Sequence, residues 1–263
     1  MTPMKRNVAF VAATACGLSA LTATAATAAT LVALQDGTML TMIDTDKKAV
    51  TASVKVDGGA KLVGIDVRPS DGKLYGVAPD GTIVTIDGKT GKWEKKSQLS
   101  EKLPADAKIA VDFNPVADRM RIVTSTGMNL RINVEDGKAT VDGTLKYAET
   151  DAMKGKTPMV TAVAYSNSFA GTKETAMYDI DMATGSLVKQ APPNDGVMTT
   201  IGSLGVKPDM VALDIASDGK GGNTAWVVAG GALHTVDLAS GKVTTAGPIS
   251  GLKGSVGDVA VMP

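Results

Sequence analysis

From residue 31 onward, apolar and polar residues alternate in short runs that are separated by turn residues, with a repeat of roughly 43 to 56 residues. Alternation with a period of two predicts β-strands. The runs end in turns of the form Asp-x-x-Thr/Ser-Gly or a close variant, in which Asp or Asn opens the turn and Gly accepts a positive φ. These turns begin at Asp44, Asp87, Asn133, Asp181 and Asp237. The pattern therefore predicts a series of antiparallel hairpins.

A second apolar segment, rich in β-branched residues, recurs in step with the turns. Its copies lie at 62–67, 109–113, 160–165, 211–215 and 256–261. The last copy has no hairpin after it, and the first hairpin, at 31–54, has no copy before it. The two incomplete ends complement each other, which favours a closed ring over a β-sandwich or an irregular β-barrel.

We therefore predict an all-β chain that folds as a five-bladed β-propeller, closed by the C-terminal strand joining the N-terminal blade. Helix is nearly absent from the pattern, and Asp151–Lys154 is the one weak candidate. The predicted blades are 256–263 with 31–57, 62–99, 109–145, 159–205 and 210–249.

The first 28 residues follow a different pattern. A short basic start at Met4–Arg6 precedes an apolar run from Val8 to Leu21 and small-x-small sites that end at Ala25 and Ala28. This is the pattern of a secretory signal peptide, and the apolar run is too short to span a bilayer. We predict a signal peptide at 1–28, a single propeller domain at 29–263 and a periplasmic or secreted protein. Lipid anchoring through Cys16 is not expected, because Ala13 stands where a lipoprotein box has Leu.

Composition excludes several classes of protein. The chain is 44% hydrophobic and 21% charged, with 27 basic and 27 acidic side chains, which is typical of a globular domain without a basic field for nucleic acid. The single Cys lies in the predicted signal peptide, so disulfides and thiolate sites are not expected after cleavage. No other segment is long and apolar enough to predict a transmembrane span after cleavage.

Several local motifs resemble a known family. The motifs are Asp112-Phe113-Asn114-Pro115, Asp118-Arg119-x-Arg121, Asn129-Leu130-Arg131-x-Asn133, the stretch from Tyr165 to Gly171, Tyr178-Asp179-Ile180-Asp181 and Pro192-Pro193-Asn194-x-Gly196. Together they resemble the bacterial domain-of-unknown-function family numbered 4394, over nearly all of 31–261. The resemblance implies an exported, propeller-like protein and leaves its activity open.

Arginine is the most unevenly distributed charged residue. Only four arginines follow residue 28, and Arg119, Arg121 and Arg131 belong to one predicted hairpin. Arginine satisfies carboxylates and carbonyls in fixed geometry, so one interpretation pairs the three with acids such as Asp112, Asp118 or Asp66 to lock neighbouring blades. In the other interpretation, the three arginines bind a carboxylate or phosphate ligand at the mouth of the central channel. The candidate ligand-binding residues are Arg119, Arg121, Arg131, Asn129, Asn114 and Asn167.

Three carboxylates occupy equivalent places in three of the five inner strands: Asp66, Asp112 and Asp214. Carboxylates that converge on a propeller axis, with Asn114 or Asn167 nearby, suit a hard cation such as Ca²⁺. The alternative is that each one caps its own strand or pairs with an arginine, without an ion. Calcium is the only cofactor that the sequence suggests.

Three functions are compatible with these features. The first is an exported, non-catalytic propeller that binds an unknown small molecule or an envelope protein. The second is a Ca²⁺-assisted hydrolase of the lactonase type, which rests on fold analogy alone. The third is a structural component of the envelope. We favour the binding module, because nucleophile motifs are absent from the sequence.

Overall fold

In the computed structural model of the protein, the described residues form twenty-one short strands in five mainly antiparallel sheets around one axis. The structure describes residue 1 and residues 29–205 and 210–263. Each sheet is one blade of a β-propeller, and the strand nearest the axis is its inner strand. The five-bladed all-β prediction is confirmed.

Blade 1 contains both ends of the propeller domain. Its strands are β1 (Thr30–Gln35), β2 (Met39–Asp44), β3 (Ala49–Lys55) and β21 (Val256–Met262). The inner strand β21 pairs antiparallel with β1, with Leu31 opposite Val261 and Ala33 opposite Val259. The last strand of the domain thus hydrogen-bonds to the first, and the predicted closure of the ring is confirmed.

The other four blades follow in chain order. The first strand of blades 2, 3 and 5 is the inner strand, whereas in blade 4 one outer strand precedes the inner strand in the chain. Blade 2 contains β4 (Gly64–Val67), β5 (Leu74–Val77), β6 (Thr82–Ile86) and β7 (Trp93–Gln98). Blade 3 contains β8 (Ile109–Asn114), β9 (Arg119–Thr124), β10 (Asn129–Ile132) and β11 (Ala139–Val141). Blade 4 contains β12 (Lys146–Tyr147), β13 (Val160–Tyr165), β14 (Met177–Asp181), β15 (Ser186–Gln190) and β16 (Val197–Ser203). Blade 5 contains β17 (Val211–Ser217), β18 (Asn223–Ala229), β19 (Ala232–Val236) and β20 (Val243–Pro248).

The strand β12 joins a blade by a pairing that the repeat did not predict. It precedes the inner strand β13 in the chain, yet it pairs in parallel with β16 at the outer edge of blade 4. The weak helix candidate Asp151–Lys154 is wrong, because these residues form turns in the connection from β12 to β13. Asp151 uses its side chain to accept the N–H groups of Met153 and Thr200, which favours a turn over a helix.

The repeated turns have the predicted chemistry. The Asp87 carboxylate accepts the N–H groups of Lys89 and Thr90 at 2.8 and 3.0 Å, and Gly91 has a φ of 73°. Asp237 accepts the N–H of Ser240 at 2.8 Å, and Gly241 also has a φ of 73°. Hydrogen bonding by the opening Asp and a left-handed closing Gly therefore fix these reversals.

Apolar side chains on the two faces of each blade form the core between neighbouring blades. Between blades 2 and 3, Phe113, Met120 and Ile122 are buried together with Tyr75, whose ring meets the Phe113 ring edge-on at 5.2 Å. Burial on both faces leaves each inner strand enclosed by its neighbours, so its polar side chains depend on protein partners.

Helical structure is minimal in the described ranges: it amounts to the 3₁₀ turns Asp57–Gly59 and Pro193–Asp195. In that part of the chain, no helix has the length and apolar character that a membrane crossing requires. The predicted signal peptide and Cys16 lie outside the described residues, Met1 excepted.

Candidate functional site

The axis of the propeller brings together the three carboxylates that the repeat singled out. Asp66 on β4, Asp112 on β8 and Asp214 on β17 each place one carboxylate oxygen within 4.8 Å of the others. All three side chains are buried, with 4%, 3% and 5% of their surface exposed. The residues therefore converge as the sequence suggested, and their hydrogen bonds show what they do in the fold.

Each axial carboxylate connects its own blade to the next. Asp66 accepts the N–H of Val67 at 2.7 Å and, across the blade boundary, the N–H of Phe113 at 2.7 Å. Asp214 does the same with the N–H groups of Ile215 and Val261, both at 2.6 Å. These carboxylates are clamps between inner strands, since they satisfy backbone groups that belong to neighbouring blades.

Asp112 completes this layer with a longer contact. It accepts the N–H of Tyr165 in blade 4 at 3.3 Å. Tyr165 follows Ala164, just as Phe113 follows Asp112, so Ala164 is the equivalent position in blade 4. The alanine side chain cannot accept a hydrogen bond, so the carboxylate clamp is absent at this position of the boundary between blades 4 and 5.

A fourth clamp, Asp258 on β21, was not among the predicted site residues. Its side chain accepts the N–H groups of Val259 and Ile65, both at 3.0 Å, and thereby connects the closing strand to blade 2. The equivalent position in β21 is Ala260, because Val261 receives the bond from Asp214. Asp258 thus lies two residues earlier along the inner strand, outside the layer of the other three.

Burial and mutual repulsion disfavour charge on these carboxyl groups. Burial, followed by the neighbouring carboxylates, raises the pKa of Asp66 and of Asp112 well above its usual value. Burial raises the pKa of Asp214 to about 6, and it raises that of Asp258 well above the ordinary range. Among the ion pairs of the described residues, none places a lysine or arginine on these four groups. Protonation or a bound cation would lower the cost of burying them.

Two cavities lie at the ends of the axis. The cavity of about 550 Å³ is lined where the inner strands begin, by Val63, Ile109, Thr161, Val211 and Gly257. We call it the strand-start cavity. The other, of about 390 Å³, is lined where inner strands end, by residues that include Asp66, Asp214, Phe169 and Met262. We call it the strand-end cavity.

All five blades contribute to the strand-start cavity, which is mainly apolar. Leu34, Leu62, Ile109 and Val211 are each at most 8% exposed. The charged side chains that line it are Asp36, Lys61 and Lys108, which are exposed at the rim. An apolar lining with a few polar groups at its edge is the usual composition of a small-molecule site.

Thr161 is a polar residue of this lining. The pairing of β13 with β14 shifts by one residue between Val160 and Ala162, so Thr161 is the bulged residue of the inner strand. A β-bulge redirects a side chain out of the regular alternation. The Thr161 hydroxyl oxygen is buried and has no hydrogen-bond partner among the described residues.

The predicted arginine cluster lies away from the axis, on the second and third strands of blade 3. Arg121 is 1% exposed and donates to Asp142 at 2.6 Å, Asn129 at 2.8 Å, Asn194 at 2.9 Å and Tyr165 at 3.1 Å. Tyr165 and Asn194 belong to blade 4, so the guanidinium joins two blades. The four contacts occupy its fork of donors.

The acidic partners of the arginines differ from those expected. Arg131 donates to both oxygens of Asp142, at 2.7 and 2.9 Å, and shares this carboxylate with Arg121. Arg119 donates to the carbonyl oxygens of Asp118 and Ala117. Asp118 itself is paired with Arg68 of blade 2, at 2.6 and 2.8 Å. The expected pairing with Asp112, Asp118 or Asp66 is therefore corrected to Asp142, although the role between blades matches one interpretation.

The three candidate asparagines form hydrogen bonds within turns and between blades. Asn114 accepts the N–H groups of Val116 and Ala117 and so closes the turn after β8. Asn167 has a φ of 54° and exchanges hydrogen bonds with Asn223 of blade 5. Asn129 donates to the carbonyls of Gly143 and Pro193 while accepting from Arg121. Their ligand-binding role stays a prediction.

A buried carboxylate lies near the arginine cluster. Asp179 on β14 is fully buried, and neither of its oxygens accepts a hydrogen bond from the residues that the structure describes. Burial raises its pKa well above the usual value, and the charge of Arg121 opposes this effect only in part. Asp179 therefore favours its neutral form in the folded protein.

Sequence reasoning missed the residues of the strand-start cavity. Lys61 and Lys108 each stand just before the first apolar residue of an inner-strand segment, and Gly257 lies in the last one. Superposing the five repeats would have shown that these positions meet at one end of the ring. The bulge at Thr161 has no comparable signal, since Val160–Tyr165 looks like an ordinary buried strand.

Comparison with known proteins gives the chain a family. The model of a domain of unknown function, DUF4394, matches residues 38–260. The chain belongs to the DUF4394 family. No functionally curated protein matches it.

A solved structure shares the fold of this DUF4394 protein. A protein of unknown function from Bacteroides thetaiotaomicron VPI-5482 is 19% identical, with a TM-score of 0.54, over 90% of this chain and 65% of its own. At this identity the likeness concerns the fold alone, and the chain spans about two thirds of that protein. Weaker matches are a protein of unknown function from Bacteroides caccae, 14% identical (TM-score 0.44; 82% and 71% covered), and an auxiliary nutrient binding protein from Bacteroides ovatus ATCC 8483, 17% identical (TM-score 0.45; 81% and 54% covered).

Proposed function

We propose that this DUF4394 protein is an exported, non-catalytic binding module that takes a small molecule into the strand-start cavity. The observation that carries the proposal is the convergence of five inner-strand starts on one mainly apolar cavity of about 550 Å³. This volume is within the range of small-molecule sites, and strand residues of four blades help to line it, namely Leu34, Ile109, Thr161, Val211 and Gly257.

The single histidine of the chain lies outside the lining of this cavity. His234 lies on β19, the third strand from the axis, and contacts Thr245 at 3.0 Å and the Ala229 carbonyl at 3.4 Å. The described lining contains no histidine or cysteine, the side chains that most often act as general base or nucleophile. It offers a ligand apolar contacts and a matching shape, which suit binding.

Gly257 provides a direct test of occupancy. It has an ordinary backbone conformation, and a Cβ built there would approach no atom closer than the Leu34 carbonyl oxygen at 3.7 Å. In Gly257→Leu, the new side chain should fill part of the cavity without a clash at its base. Thr140→Leu, on the exposed outer strand β11, adds the same apolar group far from the axis.

The probe is N-phenyl-1-naphthylamine, a neutral dye that fluoresces in apolar surroundings. We expect saturable binding to the mature protein, at least about tenfold weaker binding to Gly257→Leu and unchanged binding to Thr140→Leu. Equal affinity in Gly257→Leu and the unmodified protein, with both folded by circular dichroism, would refute occupancy of this cavity.

Export is part of the same proposal and rests on the signal-peptide pattern of residues 1–28. We expect the protein isolated from the periplasm or the medium to begin at Ala29. N-terminal sequencing checks this, and an unprocessed Met1 in a cytoplasmic fraction would contradict it.

A second candidate function, a Ca²⁺-assisted hydrolase of the lactonase type, is favoured by the axial carboxylates. Asp66 and Asp214 line the strand-end cavity, and Asp112 brings a third oxygen within 4.8 Å. Carboxylate oxygens are suitable ligands for Ca²⁺, which could polarise a carbonyl or activate water.

Calorimetric titration with Ca²⁺ after treatment with a chelator tests this candidate. Binding that disappears in Asp112→Asn but persists in the exposed control Asp46→Asn would support it. An absence of heat, together with an unchanged melting temperature at millimolar Ca²⁺, would exclude it.

A further inference from the structure

We infer that the ligand of the strand-start cavity is a small organic anion with an apolar body, whose acidic group is held by Lys61 and Lys108. This inference rests on the proposed function, because it names the chemical class of molecule that the same cavity takes. Three features support it: the balance of charge at the cavity, the backbone contacts that hold its lysines, and the acidic layer farther along the axis.

The charged groups that line the cavity leave a positive excess. They are Asp36, Lys61 and Lys108. Neither lysine forms an ion pair within the described residues. Asp36 already accepts a hydrogen bond, from the N–H of Ser255 at 3.3 Å. Two unpaired ammonium groups beside an apolar surface favour a ligand that carries an acid group.

Backbone contacts hold both lysines at the rim. Beside Lys61, the N–H of Leu62 donates to the Gly37 carbonyl at 2.7 Å, and the Lys61 stem packs against Gly37. Lys108 exchanges two hydrogen bonds with Ser125: its own N–H donates to the Ser125 hydroxyl at 3.0 Å, and its carbonyl accepts the Ser125 N–H at 2.9 Å. Because these attachments fix the start of each side chain, less conformational freedom is lost when a ligand binds.

The axial carboxyl groups offer an anion no partner deeper in the ring. Asp66, Asp112 and Asp214 lie farther along the inner strands than the cavity lining at Val63, Ile109 and Val211. Their oxygens accept backbone N–H groups and provide no positive charge, whereas the rim lysines attract an acid group. The ligand should therefore bind with its apolar body inward and its acid outward.

A displacement experiment tests the class of ligand. The mature protein is loaded with N-phenyl-1-naphthylamine, and octanoate, octanol and octylammonium, which share one chain length, are titrated against the dye. We expect octanoate to displace the dye at a concentration at least about tenfold lower than octylammonium, with octanol between them. Equal displacement by the three would overturn the inference.

Matched variants assign the preference to the lysines. Lys61→Met and Lys108→Met should each weaken octanoate binding about fivefold and leave octanol binding unchanged, because each removes one charge and keeps most of the stem. Lys146→Met, on the exposed strand β12, should change neither. A preference for octanoate that survives in the double variant Lys61→Met/Lys108→Met would overturn the assignment.

The two proposals fail in different ways. If dye binding is unaffected by Gly257→Leu, the cavity is not the binding site and the proposed function fails. If Gly257→Leu abolishes dye binding while octanol and octylammonium compete as well as octanoate, the cavity binds ligands and only the anion preference is wrong.

Discussion

At the residue scale, the buried polar side chains of this protein differ in the number of hydrogen bonds that they form. Arg121 is buried and makes four side-chain hydrogen bonds, whereas Asp179 is buried and accepts none. The sequence pointed to Arg121 through the rarity of arginine. The sequence alone could not show whether Arg121 binds a ligand or joins two blades, because the residues that it contacts, Tyr165, Asn194 and Asp142, are remote in sequence.

Replacing Arg121 by Lys should destabilise the protein by about 2 to 4 kcal/mol. Lysine keeps the charge but cannot reach Tyr165, Asn129, Asp142 and Asn194 together. The free energy of unfolding in urea measures this, with Arg119→Lys as the control, since Arg119 donates only to nearby carbonyls. Unchanged stability in Arg121→Lys would show that the hydrogen bonds of the buried Arg121 guanidinium do not stabilise the contact between the two blades.

Asp179 predicts a stability that depends on pH. Its folded pKa is raised above the unfolded value of 3.8, so its neutral form stabilises the fold at low pH, and that contribution is lost as pH rises through the folded pKa. Asp179→Asn, which stays neutral, should therefore gain stability relative to the unmodified protein as the pH rises above the unfolded value of 3.8. The free energy of unfolding in urea, measured at a series of pH values, checks this. A difference between the two proteins that does not vary with pH would contradict the assignment.

At the element scale, the inner strands are joined by carboxylates as well as by apolar packing. Asp66, Asp112, Asp214 and Asp258 each accept an N–H from the inner strand of the next blade. The repeat allowed the strands and three of these residues to be predicted. Asp258 was not predicted because it lies two residues before the common position, and a hydrogen bond between blades produces no periodic pattern in the sequence.

Removing the clamp at the closing strand should loosen the ring. Asp258→Ala leaves the N–H groups of Ile65 and Val259 buried without acceptors, and we expect a loss of about 2 kcal/mol or more. Asp258→Asn keeps an acceptor oxygen and should lose less, while the exposed Asp46→Ala should change stability by less than about 0.5 kcal/mol. Equal melting temperatures for Asp258→Ala and Asp46→Ala would rule out the clamp.

At the scale of the whole molecule, the ring has a different character at each end of its axis. The strand-start cavity is apolar with lysines at its rim, and the strand-end cavity has carboxylates in its lining. Five blades and their closure follow from the spacing of turns and from the two incomplete ends of the chain. The cavities do not, because their shape depends on how loops from different repeats meet around the axis.

A crystal structure of the mature protein with octanoate would show whether the strand-start cavity is the ligand site. We expect electron density for the alkyl chain between Val63 and Val211, with the carboxylate within reach of Lys61 and Lys108. An empty strand-start cavity at saturating octanoate, or density only in the strand-end cavity beside Asp66 and Asp214, would contradict it.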